Sequence, residues 1–252
     1  MIIKSFKKSV IAWDDYERSF YQLNNESFFK PCNLLHILKQ KEILYENTVL
    51  FAKGLLSNNV LLWGSRGTGK SSLIHTVFNE IIKDHNISLL ELRKNQVKYL
   101  STILRKISDP KQKFIIFCDD FSFSTENEDF ILFKNILDGT VSKNNNLIYY
   151  VTSNFRNILK NNSKDNKVSM LEKNELVDDE TALSDRFGIW LGFSKFSETQ
   201  YLDIIKSYCK HYNINIDAVL LKKKAIQWSL NRGSRSGREA HYFVKSLINN
   251  KM

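Results

Sequence analysis

Proline occurs twice in 252 residues and cysteine three times. So few prolines argue against a turn-dense all-β domain and leave the chain free to build helices. Cys32, Cys118 and Cys209 stand far apart and form no Cys-x-x-Cys pair, which excludes a zinc ribbon and a disulfide framework. They read as reduced thiols. No apolar run approaches the roughly 18 residues that a membrane span needs, so no membrane partner is expected. The opening stretch MIIKSFKKSVIAWDDYERSF has early lysines but then turns charged, without the apolar block and small-residue cleavage site of a secretory signal. The expected location is the cytoplasm.

What the chain does have is a 42% hydrophobic content, enough for a real core, and a net charge of +10. The lysines look scattered within a Lys-, Asn- and Ile-rich composition, and no Arg-rich groove or RNA-binding aromatic signature accompanies them. The charge is therefore read as compositional, with a nucleic-acid partner kept as an alternative that no motif indicates. There is no internal repeat. Residues 1–57 read as a helical region, from Leu34, Leu35, Leu38, Ile43, Leu44, Val49 and Phe51 at mixed three- and four-residue spacing. Residues 58–194 alternate short β-type runs with helical stretches, the pattern of a parallel α/β sheet with helices on both faces. The predicted strands are Val60–Trp63, Ile87–Leu92, Phe114–Cys118, Leu147–Thr152 and Ile189–Phe193. Residues 195–252 read as a small helical lid. Ser197-Glu198-Thr199-Gln200 is a capping box, with Tyr201, Ile204, Ile205, Tyr208 and Tyr212 on one face of the helix that follows. Asp217–Leu230 is a second helix stopped by Gly233, and Ser236-Gly237-Arg238-Glu239 is a second box opening the last helix. Asn157–Thr181, polar and charged, reads as a surface loop.

The chemistry is concentrated in Gly64-Ser65-Arg66-Gly67-Thr68-Gly69-Lys70-Ser71, a full G-x-x-x-x-G-K-S match between a predicted strand and a helix that begins near Ser72. Glycines let the backbone curl so that successive N–H groups face phosphate oxygens, and the helix N-terminus adds partial positive charge. Lys70 has the reach for β- and γ-phosphates, and the Ser71 hydroxyl can ligate Mg²⁺. The expected ligand is ATP with Mg²⁺. Four apolar residues and a cysteine, Phe114 to Cys118, lead to Asp119 and Asp120 at the edge of a strand where ligands of parallel sheets bind. Asp119 would hold Mg²⁺ through water and Asp120 would polarise the attacking water. Asn154, ending the next strand, would orient that water. Arg186, before the fifth strand, has the planar, permanently charged head of an arginine finger. Arg235 and Arg238 flank the start of the last helix, and Arg238, inside the capped turn, is the preferred phosphate ligand from the lid.

In order along the chain these five elements resemble Walker A, Walker B, sensor 1, arginine finger and sensor 2 of the AAA+ superfamily. VLLWGSRGTGKSSL, FIIFCDDFSF, YYVTSN, LSDRFGIWLGF and RGSRSGREA resemble more closely the bacterial AAA+ family numbered 815 among domains of unknown function, over about residues 58–245. The Asp-Asp pair is typical of that family, whereas Phe121 stands where the family usually has Leu. The resemblance implies ATP binding. It implies a homo-oligomer in which Arg186 serves a neighbouring subunit. Three roles stay open: a remodeller or loader of a protein client, a nucleic-acid-associated ATPase akin to helicase loaders, and a nucleotide-dependent switch with little turnover.

Overall fold

The computed structural model describes residues 8–23, 34–107, 112–121, 128–137, 146–154 and 185–249. Cys32, Ser184 and the segment 157–181 lie outside the described residues. Seven strands form one sheet: β1 (Val10–Asp14), β2 (Ser19–Gln22), β3 (Val60–Gly64), β4 (Ile87–Leu92), β5 (Lys113–Cys118), β6 (Leu147–Ser153) and β7 (Ile189–Phe193). Their order is β2-β1-β4-β5-β6-β3-β7, and every neighbouring pair is parallel except β1 with β2. The five predicted strands are present within one residue at each end.

Strand periodicity divides the core. Leu61, Leu90, Ile116 and Val151 face one layer, under α3 (Leu100–Lys106) and α4 (Glu128–Leu137), where Leu100, Ile103 and Phe133 are buried. Val60, Leu62, Leu89, Ile115, Phe117 and Ile148 face the other, under α1 (Leu38–Lys53) and α2 (Lys70–Ile81), where Leu44, Phe51, Leu73, Val77 and Phe78 are buried. A sheet covered on both faces needs near-continuous apolar strands, which is why the strands read so clearly.

The helical reading of residues 1–57 is corrected. Residues 10–14 and 19–22 are strands, and β1 extends the parallel sheet by pairing Val10, Ile11 and Ala12 with Leu89, Leu90 and Glu91. Ile11 and Trp13 point to one layer and Val10 to the other, so the period of the segment is two. The helical spacing counted from Leu34 onward belongs to α1 alone, and Leu34 to Ile37 precede it.

The lid follows the sequence closely. Its helices are α5 (Glu198–His211), α6 (Ala218–Arg232) and α7 (Gly237–Asn249). The Ser197 hydroxyl accepts the Gln200 N–H while the Gln200 side chain accepts the Ser197 N–H, a complete capping box. Asp217 caps α6, and Gly233 ends it at φ 62°. Ser236 accepts the Glu239 N–H at 3.2 Å, but the Glu239 carboxylate turns to the Trp228 indole N–H. Tyr201, Ile204, Ile205 and Tyr208 are buried with Ala225, Phe243 and Val244. Tyr212 departs from the expected stripe: it is the helix's C-terminal cap and is partly exposed.

A buried polar network fastens α1 to the sheet just ahead of β3. Asn47 donates to the Asn58 carbonyl at 2.9 Å, accepts the Asn58 N–H at 2.9 Å and donates to the Tyr150 hydroxyl. Thr48 shares a 2.7 Å hydrogen bond with the same hydroxyl. Burial pushes the Tyr150 phenol up to about 12, so it stays neutral. Asn47→Ala strands buried donors and acceptors and should cost about 2–3 kcal/mol in urea unfolding, against about 1 kcal/mol for Tyr150→Phe. Equal, small losses would show that water replaces these bonds.

Candidate functional site

The loop from Gly64 to Gly69 is shaped by three positive-φ glycines, Gly64 at 128°, Gly67 at 70° and Gly69 at 102°. At two of them a side chain would also collide. A Cβ on Gly64 would sit 2.1 Å from the Phe193 carbonyl oxygen, and one on Gly67 would sit 2.8 Å from the Ser236 hydroxyl. β7 therefore presses on the start of the loop and the lid presses on its crest. The Ser65 N–H donates to Phe193 O at 3.0 Å, and the Gly237 N–H donates to Gly67 O at 2.9 Å. Thr68 closes the turn by donating to Ser65 O at 2.7 Å.

Below the loop the charged groups converge. The Lys70 ammonium donates to Gly64 O at 2.7 Å, Ser65 O at 2.9 Å and Asn154 Oδ1 at 3.4 Å. Burial pulls its pKa down to about 8, partly offset by the Asp120 and Asp119 carboxylates. The Ser71 and Thr152 hydroxyls both donate to Asp119 Oδ1, each at 2.6 Å. Asp120 adopts φ 52°, uncommon for a residue with a side chain, and its N–H donates to Thr152 Oγ1 at 2.8 Å. Asn154 links the two sides of the site, its amide nitrogen donating to Asp120 while its oxygen faces Lys70.

These groups line one cavity of about 620 Å³, a size that suits a mid-sized ligand. Of the residues expected from sequence, Arg66, Gly67, Thr68, Gly69, Lys70, Ser71, Ser72, Asp119, Asp120, Asn154 and Arg238 line it. Gly64 and Ser65 form the loop's base and supply carbonyls to Lys70. Arg235 is held 3.4 Å from Glu198, whereas Arg238 faces the cavity. Arg186 is exposed and lies outside the cavity lining; its carbonyl accepts from Asn59.

Sequence reasoning missed the apolar wall. Leu34, Leu35 and Ile37 line the cavity from the segment before α1, opposite Ile204 and Tyr208 of α5 and His241 and Tyr242 of α7. The α7 signal was legible, since Arg238, His241, Tyr242 and Lys245 fall at i, i+3, i+4 and i+7 on one helix face. Thr152, which braces both aspartates, also went unnoticed. So did a half-buried pair between α2 and β4: His75 Nε2 lies 3.3 Å from Glu91 Oε1. Burial pushes Glu91 up to about 7 and His75 down to about 4, so both are neutral at mildly acidic pH.

The family model described as a protein of unknown function (DUF815) matches residues 7–251. The chain belongs to the DUF815 family. No curated protein matches it. Among solved structures, this DUF815 protein is similar to the RuvB Holliday junction branch migration motor of Thermotoga maritima, with 16% identity and a TM-score of 0.56 over 85% of this chain and 62% of that one. It is similar to the Orc1 protein of Aeropyrum pernix, solved in complex with DNA, with 15% identity and a TM-score of 0.62 over 86% of this chain and 60% of that one. A chain of the HORMA:CdnC:Trip13 complex of Escherichia coli MS115-1 matches at 13% identity and a TM-score of 0.55, over 84% of this chain and 89% of that one. The chain thus spans about three fifths of the RuvB and Orc1 chains. The mostly parallel seven-stranded sheet followed by a helical lid is the AAA+ fold. Among the described residues no helix is long and apolar enough to cross a membrane.

The clash beneath the loop gives a direct test of its packing. Gly64→Ala adds a methyl against the Phe193 carbonyl at an unfavourable φ, and should destabilise the DUF815 protein by about 2 kcal/mol or more. Thermal melting at wild-type temperature would show that β7 does not grip the loop.

Proposed function

We propose that this protein is an AAA+ ATPase that binds ATP with Mg²⁺, hydrolyses it as a homo-oligomer in the cytoplasm, and couples the reaction to remodelling or loading a protein client. The observation that carries the reading is the convergence, in one cavity, of a glycine loop with Lys70, the Ser71–Asp119 hydrogen bond, Asp120 bonded to Asn154, and Arg238 from the lid. In this reading residues 58–194 form the nucleotide-binding core and 195–252 the lid.

The triphosphate would lie along the loop, with N–H groups of residues 66–72 turned to its oxygens and Lys70 exchanging its carbonyl partners for phosphate. Phosphate charge would restore the Lys70 pKa that burial lowers. The apolar wall of Leu34, Leu35 and Ile37 is suited to the base. A hydroxyl and a carboxylate 2.6 Å apart, Ser71 and Asp119, are hard oxygen donors that fit Mg²⁺. Bound there, Mg²⁺ would neutralise charge on the β- and γ-phosphates. Asp120 would take the proton of the water that attacks the γ-phosphorus, as the bond to the β-phosphate oxygen breaks. Asn154, already bonded to Asp120, would fix that carboxylate and the water. Arg238 would draw the lid onto the phosphates, while Arg235 stays with Glu198.

Two variants separate binding from chemistry. Lys70→Ala should weaken ATP binding at least about tenfold in isothermal titration. Asp120→Asn should keep ATP and Mg²⁺ affinity but lose turnover, because an amide cannot accept the proton. An unchanged Kd for a folded Lys70→Ala removes the nucleotide assignment, and wild-type turnover by Asp120→Asn removes the base.

Arg186 is assigned the role of a finger acting on a neighbouring subunit, supported by its exposure and its place outside its own cavity lining. Arg186→Ala should retain ATP binding and lose about 10³-fold or more in rate. Mixed with Lys70→Ala it should regain part of the activity, at interfaces where an intact loop meets an intact arginine. No recovery, despite co-assembly in native mass spectrometry, would make Arg186 a structural residue.

A further inference from the structure

The positive charge of the chain is unevenly placed. Residues 195–252 hold eleven lysines and arginines against four acids, so this quarter of the chain carries +7 of the net +10. The structure shows that the four acids are all engaged within the protein. Glu198 pairs with Arg235 at 3.4 Å and Asp203 with His36 at 3.4 Å. Asp217 accepts the N–H groups of Val219 and Leu220, and Glu239 accepts the Trp228 indole and lies 3.9 Å from Arg232. Lys206, Lys210, Lys222, Lys223 and Lys224 are exposed and have no ion-pair partner among the described residues. α6 itself contains no acidic residue.

The division between arginine and lysine indicates the ligand. Arginine's fork reads base edges, and each lid arginine is committed elsewhere: Arg232 lies over the Trp228 ring at 5.2 Å, Arg235 on Glu198, and Arg238 in the cavity. The unpaired charge that remains exposed on α5 and α6 is lysine, a mobile point charge suited to phosphate but not to sequence, with Val219, Leu220 and Leu230 of α6 exposed beside it. Trp228, the lid's indole, packs on Phe243 and bonds to Glu239, so it serves neither base stacking nor insertion into a bilayer. We infer that the exposed lysines of the lid, Lys222–Lys224 of α6 together with Lys206 and Lys210 of α5, bind nucleic-acid duplexes through their phosphate backbone without reading sequence.

The test uses the full chain without nucleotide, so it is independent of the ATPase reading. Fluorescence anisotropy with a short DNA duplex should show binding at low salt, equal for unrelated sequences, with log affinity falling linearly with log salt. Replacing Lys222, Lys223 and Lys224 by Gln should make the salt slope shallower by up to about 0.9 per lysine and weaken binding about tenfold or more. A variant of equal charge change on exposed lysines of α1 and the α2 end, Lys39→Gln with Lys53→Gln and Lys83→Gln, should bind like wild type. Absence of duplex binding at low salt overturns the inference. So does an equal loss in the two triple variants, which would make the effect one of net charge alone. Tighter capture by phosphatidylserine vesicles than by the duplex, lost in the α6 variant, would reassign the surface to a membrane.

Discussion

The backbone of residues 64–69 is held between β7 on one side and the lid on the other, and the rest of the site depends on that grip. Phe193 O leaves no room for a Cβ on Gly64, and Ser236 leaves none on Gly67. The loop can lie this close only because these positions lack side chains and can adopt positive φ. The grip aims Gly64 O and Ser65 O at Lys70, sets the direction of α2, and brings Ser71 within 2.6 Å of Asp119. Moving the loop by an ångström would disperse groups that have no other reason to meet.

Electrostatics reinforces the arrangement. Lys70 is buried beside two carboxylates and below two arginines, Arg66 and Arg238, so its charge is balanced by neighbours of both signs. Behind it, His75 and Glu91 avoid charge by favouring their neutral forms. A site of this kind concentrates field where a polyanion would lie.

Much of this was readable from the sequence, for identifiable reasons. β3, β4, β5 and β6 lie inside the sheet and are buried on both faces, so their apolar runs had no competing interpretation, and the G-x-x-x-x-G-K-S run is decided by backbone chemistry that leaves its mark in glycines. The two N-terminal strands were not legible. β2 is largely exposed, and the stronger periodicity of α1 nearby drew the whole segment, β1 included, into one helical reading. Leu34, Leu35 and Ile37 fell within that helical reading, although tertiary contact gives them their place, Leu35 against the helices of the lid and Leu34 and Ile37 against the core around α2. Asn47 and Thr152 carry no local signal at all. Their partners are 11 to 103 residues distant for Asn47 and 32 to 33 for Thr152, and only the folded chain brings them together.

The hydrogen bond from the Gly237 N–H to Gly67 O joins lid and loop through main-chain atoms alone. A link of this kind is indifferent to side-chain chemistry. Every amino acid except proline supplies the same donor, and the acceptor is a main-chain carbonyl. What the junction requires is space rather than functional groups. The fit leaves no room at Gly67, where Ser236 and Arg238 already occupy the place a Cβ would take, so the closeness of loop and last helix is set by the one side chain that is missing.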